Sequence, residues 1–144
     1  MDADEALEDR ELTQAVIGIF YSVYNELGPG FLESIYENAM AIALRDAGFE
    51  ARQQHPLQVW FRGCVVGEFK VDLLVRGTLV IELKAVSQIL PIHEVQLVNY
   101  LKGLHMHVGL LFNFGPKPQF KRRVHGYHPD DPRSSALIRV QSHV

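Results

Sequence analysis

The chain has 144 residues, 47% of them hydrophobic and 22% charged, with a formal net charge of −3 and one cysteine. That length supports one domain with a real core, and the composition is ordinary for a soluble globular protein. A lone cysteine excludes an internal disulfide, no apolar run approaches the ~20 residues of a membrane span, and the negative charge argues against a broad basic surface for duplex DNA. The acidic start, MDADEALEDRE, has the wrong sign for a signal or transit peptide, so a cytoplasmic location with no membrane partner is the expectation. Cys64 lies in the turn FRGCVVG with no second cysteine and no base beside it, and reads as structural.

Residues 6–27 predict an amphipathic helix, with Leu12, Val16, Ile19, Phe20, Val23, Tyr24 and Leu27 at helical spacing. Gly28-Pro29-Gly30 ends it. A second helix is predicted over 31–47, with Leu32, Ile35, Tyr36, Ala39, Met40, Ala43 and Leu44 on its apolar side. Glu33 and Glu37 stand at i, i+4 in its first turns, where the helix dipole alone accounts for acids. The same position lets Glu33 point at a cation held elsewhere. Residues 50–61 hold a strand, clearest over 57–61 behind Pro56, and Arg62-Gly63 turns the chain.

The stretch GEFKVDLLVRGTLVIELKA, residues 67–85, reads as two strands joined at Arg76-Gly77. A third helix follows over 93–103. It carries Gln96 and Tyr100 at i, i+4 and Lys102 near its end, and reads most simply as a polar rim over a packed face. HVGLLFNF, residues 107–114, is almost continuously apolar and suits an interior strand covered on both sides. Beyond Gly115, Lys117, Lys121, Arg122 and Arg123 alternate with Phe120 and Tyr127. This is either a solvated edge strand or a phosphate-contacting patch, with Lys121, Arg122 and Arg123 as the contacts. The expected organisation is a single α/β domain over 1–128 and a flexible tail over 129–144. Its core is a four-stranded mixed sheet flanked by helices, with an antiparallel central meander and a final strand added in parallel through a right-handed crossover.

Charge inside the hairpin strands carries the chemistry. Asp72, Glu82 and Lys84 interrupt apolar runs, and a buried unpaired charge costs several kcal/mol or neutralises. A divalent cation is one way to satisfy it. If Val75-Arg76-Gly77 is a three-residue loop with a bulge, Asp72 faces Val80 and Glu82 is its diagonal neighbour, roughly 7–8 Å away. Lys84 then shares that face. A two-residue loop puts Asp72 on the other side, so a site requires an odd loop or bulge. The alternative is a hairpin whose ends form surface salt bridges of little worth. The seven histidines lack the pattern of a structural zinc site. Phosphate-binding glycine motifs and a nucleophile elbow are also missing.

Taken together, these motifs resemble a known family. Gly30-Phe31-Leu32-Glu33-Ser34-Ile35-Tyr36 fits the GxxExxY signature, and Asp72 with Glu82-Leu83-Lys84 looks like the D…ExK core of the PD-(D/E)XK nuclease superfamily. Gln96 and Tyr100 resemble the QxxxY element of its RecB-like branch, and LLFNFG also matches. The resemblance covers residues 12–124. It implies that Asp72, Glu82 and the Leu83 carbonyl bind Mg²⁺ or Mn²⁺, with Glu33 completing the acidic cluster. It implies that Lys84 orients the attacking water and that Gln96 and Tyr100 position the metal shell or the nucleic-acid backbone. Two functions compete. One is a metal-dependent nuclease acting on DNA more than on RNA, and a homodimer if the first helix has apolar residues to spare. The other is a non-catalytic module on the same fold that binds nucleic acid or protein.

Overall fold

The computed structural model describes residues 3–126; the tail read over 129–144 lies outside them. The elements run α1 (Ala3–Leu27), α2 (Glu33–Asp46), β1 (Ala51–Phe61), β2 (Cys64–Val75), β3 (Leu79–Lys84), α3 (Pro91–Leu104), β4 (Val108–Phe114) and β5 (Pro118–Val124). One sheet has the order β1-β2-β3-β4-β5. Only the β3–β4 pairing is parallel, as a strand reached through a helix should be. The sheet has five strands rather than four. The extra one, β5, is the solvated edge strand offered for the basic segment: all of β4 is buried, whereas β5 is mostly exposed.

Helices cover both faces. On one side α1 and α2 bring Val16, Phe20, Tyr36 and Met40 against Leu73, Ile81, Leu110 and Phe112. The Phe20 and Phe112 rings stack at 4.3 Å. On the other side α3 lays Leu97 and Leu101 over Leu74, Val80 and Leu111. Ile17, Ile19, Tyr21 and Leu27 of α1 also lean on the core.

The β1–β2 hairpin is longer than the sheet it joins. β3 pairs only with Leu73, Leu74 and Val75 of β2, so the outer part leaves as a two-stranded arm. Side chains two apart on a strand share a face, yet Leu73 packs in the larger core and Val71 in the smaller one. The strand therefore changes face at Asp72. Its register neighbour is Gln54, where the β1–β2 pairing skips a position and the backbone takes φ 52°. The arm then folds over α3, with Leu57 against Gly103 and the Phe69 ring 4.4 Å from that of Tyr100.

Candidate active site

Asp72 and Glu82 meet where β2 and β3 part. The backbone pairing runs Val75 with Leu79, Leu74 with Val80 and Leu73 with Ile81, and continuing it brings Asp72 level with Glu82. The loop is the odd one the site requires, but it lies one residue further on than predicted, with Arg76 and Gly77 both at positive φ. Asp72 therefore faces Glu82 directly rather than Val80. Each acid closes the gap with its side chain. The Asp72 N–H donates to Glu82 Oε1 at 3.0 Å, and the Leu83 N–H donates to Asp72 Oδ2 at 2.8 Å. This reciprocal lock fixes both carboxylates where the two strands part.

Glu82 is 7% exposed. Burial first, and the adjacent Asp72 charge second, push its carboxyl up from the ordinary 4.5 to about 9. Lys84 lies two residues on, half-buried, and its charge pulls Glu82 in the opposite direction. Among the described residues Lys84 forms no ion pair. Its ammonium is thus placed beside the acids without being spent on one of them.

The raised Glu82 has a measurable consequence. Between pH 4.5 and 9 the folded protein without metal holds a proton there that the unfolded chain has released, so stability falls as pH rises through that window. Glu82→Gln keeps an oxygen for the Asp72 N–H and removes the group that must take up a proton on folding. In EDTA at pH 7 it is expected to gain roughly 2 kcal/mol, or about 4–8 °C in Tm, and to lose the slope. Melting curves across pH check this; a flat wild-type profile would contradict it.

The other predicted residues divide. Tyr100 stands close to the pair: burial, then Glu82 and Asp72, raise its hydroxyl pKa. Gln96, one turn earlier on α3, is exposed. The Leu83 side chain is buried in the larger core. Glu33 is not brought to the pair. It is the exposed first residue of α2. Among the described residues, no three His, Cys, Asp or Glu side chains group to hold a metal. The tyrosine of that same motif, Tyr36, is architectural. Fully buried, it donates to the Gly28 carbonyl at 2.6 Å, accepts from the Phe31 N–H at 3.1 Å and stacks on Phe114.

The acid that does connect α2 to the site is Glu37. Gln54 Nε2 donates to Glu37 Oε1 and, at 3.3 Å, to Asp72 Oδ1, while Gln53 Nε2 donates to Glu37 Oε2 at 2.8 Å. The helical spacing singled out Glu37, but nothing local in the sequence marks Gln54, whose role depends on its left-handed backbone. Asn113 was missed as well. Fully buried, it accepts from the Val86 N–H at 3.0 Å and donates to the Val86 carbonyl at 2.9 Å. It thereby clamps the chain two residues after Lys84.

The basic run on β5 is not one patch. Lys121 and Arg123 sit opposite Leu111 and Gly109, and Arg122 opposite Leu110, so alternation sends Arg122 to the other face. Arg123 is ion-paired with Glu94 of α3. Lys121, Arg122 and Lys102 are exposed.

The donor chemistry fits a hard divalent cation. Two carboxylates held side by side, one of them buried, repel unless a proton or a cation sits with them. Mg²⁺ is content with one or two carboxylates and several waters. Fold and motif together define the class: an α/β domain that presents a D…ExK core where two strands splay. The chain belongs to the PD-(D/E)XK nuclease superfamily, whose family model matches residues 10–124. Nucleases of this superfamily are generally dependent on divalent metal. A solved chain described as "Crystal structure of SSO0001" is similar in fold, with a TM-score of 0.55 and 18% identity over 76% of this chain. The match spans 55% of that chain's length. No curated protein matches the chain.

Proposed function

We propose that this protein is a nuclease that uses Mg²⁺ or Mn²⁺ to hydrolyse phosphodiester bonds, in DNA rather than RNA. We place it in the GxxExxY group and the RecB-like branch of the superfamily, on the motif positions given above. The observation that carries the reading is the reciprocal Asp72–Glu82 lock with the uncommitted Lys84 beside it.

Asp72 and Glu82 hold the cation, with the Leu83 carbonyl as the third protein ligand. When bound, that cation makes water acidic near neutral pH and offsets charge gathering on the phosphate. The chain's own groups do the rest. The Leu83 and Asp72 N–H bonds keep the carboxylates from rotating away. The Lys84 ammonium orients the attacking water and stabilises the phosphate oxygens. Tyr100 and Gln96 steady the backbone of the substrate from α3. Glu33 is outside this ligand set; Glu37, acting through Gln54, orients Asp72 from the same helix.

A non-catalytic binding module is the second reading. The net charge of −3 and the loss of Arg123 to Glu94 favour it. One assay separates the two. The protein is incubated with single-stranded, duplex and branched DNA and with RNA, in Mn²⁺ or EDTA, beside Glu82→Gln. Cutting that needs metal and disappears in the variant is the expected result. If every substrate stays intact while Mn²⁺ still raises the Tm of the wild type, the binding-module reading takes its place.

A further inference from the structure

The β1–β2 arm carries apolar side chains that neither core uses. Val59, Trp60, Phe61, Val65 and Val66 are all exposed. Between the arm and α3 lies a groove of about 930 Å³, lined on the arm by Leu57, Val59, Trp60 and Phe69 and on α3 and its cap by Lys102 and His105. Cations accompany the aromatic surfaces. Lys102 is on the lining, while Arg62, outside the lining at the tip of the arm, sits 5.0 Å over the Phe61 ring. The acid on the lining, Glu68, accepts a 3.0 Å hydrogen bond from Gln58.

Contacts through one wall of the groove lead to the acid pair. Phe69 lines it and packs on Tyr100, and Tyr100 feels the charges of Glu82 and Asp72. A track of aromatic faces with a few cations suits a ligand whose bases are available for stacking. Duplex recognition rests instead on many phosphate contacts, which a chain of net charge −3 with its basic strand split between two faces does not provide. Single strands are held by stacked bases and a narrow line of positive charge.

We propose that the groove between the β1–β2 arm and α3 seats single-stranded nucleic acid, with a base stacked on Trp60 and a phosphate at Lys102, and delivers the strand to the Asp72–Glu82 pair. The delivery step rests on the nuclease reading; the binding step does not.

Trp60 is the one tryptophan in the chain, so intrinsic fluorescence reports on the groove directly. The full chain is titrated in EDTA with a short unlabelled oligothymidylate and, separately, with a duplex of the same length. Saturable quenching by the single strand and a weaker response to the duplex are expected. Trp60→Leu, checked for its fold by circular dichroism, should weaken binding about 5- to 100-fold by anisotropy of a labelled strand, and Trp60→Phe should recover most of it. Equal quenching by duplex, no quenching, or unchanged affinity in Trp60→Leu each overturns the proposal. So does a concentration-dependent self-association that Trp60→Leu dissolves without touching oligonucleotide binding, because the arm is then a protein-docking surface. The nuclease reading fails or stands separately. Trp60-dependent binding by a protein that cuts nothing leaves the groove and removes the enzyme. Cutting lost in Glu82→Gln but indifferent to Trp60→Leu does the opposite.

Discussion

Lys84→Ala is expected to lower metal-dependent cleavage about 10²- to 10⁴-fold while leaving Mn²⁺ binding in place. Lys84 stands two residues after Glu82 on β3, shares its face, and forms no ion pair among the described residues. Its removal therefore breaks no structural contact seen here, unlike loss of Asp72, which would strip the Leu83 N–H of its acceptor. Its position is fixed from behind, because Asn113 clamps Val86 through both backbone groups. One side effect is foreseeable. The lysine charge draws the Glu82 carboxyl down, so the variant should need a somewhat higher pH to exchange its proton for metal. Metal titration by thermal shift at two pH values, run beside the cleavage assay, separates the two effects. Binding and cleavage lost in parallel at both pH values would make the lysine structural rather than catalytic.

Gly115→Ala carries the largest expected cost to the fold. A Cβ there would lie 2.0 Å from the Val86 carbonyl oxygen, which is backbone already held by Asn113. The Gly115 carbonyl in turn accepts from the Tyr24 hydroxyl at 2.8 Å. Neither side can give way without breaking one of these hydrogen bonds. A loss of roughly 3 kcal/mol or more, about 6–12 °C in Tm, is expected. Gly67→Ala is the control: its Cβ meets nothing within 4 Å, and its Tm should stay close to that of the wild type. The cleavage assay adds a second readout, because the strain falls on the segment that follows Lys84. Equal melting of the two variants would show that the loop after β3 is softer than its contacts indicate.

Much of this architecture is legible in local pattern. Helical spacing found α1 and α2 because each buries one stripe, whereas the buried residues of α3 are Leu97 and Leu101. The continuous apolar run of HVGLLFNF found β4 because both of its faces are covered. Acids placed in apolar strands marked Asp72 and Glu82, since such charges need a partner. The β5 strand was readable only as one of two options, because a solvated edge lacks the apolar signal of a buried strand. Its alternation then divided Lys121 and Arg123 from Arg122, which a linear run of basic residues conceals.

The amino-acid order thus specified the class of fold, the acid pair and the lysine, because these follow from side-chain chemistry and short spacing, and it left the hairpin loop open between an odd and a two-residue form. Folding in three dimensions settled the rest. A loop shifted by one residue brought Asp72 level with Glu82. A left-handed Gln54 turned the arm over α3 and tied Glu37 to Asp72. Asn113 and Gly115 took their meaning from Val86, 27 positions from Asn113 along the chain. The physical reason is common to these cases: each depends on a backbone angle or a long-range contact, and neither is encoded in the spacing of neighbouring residues.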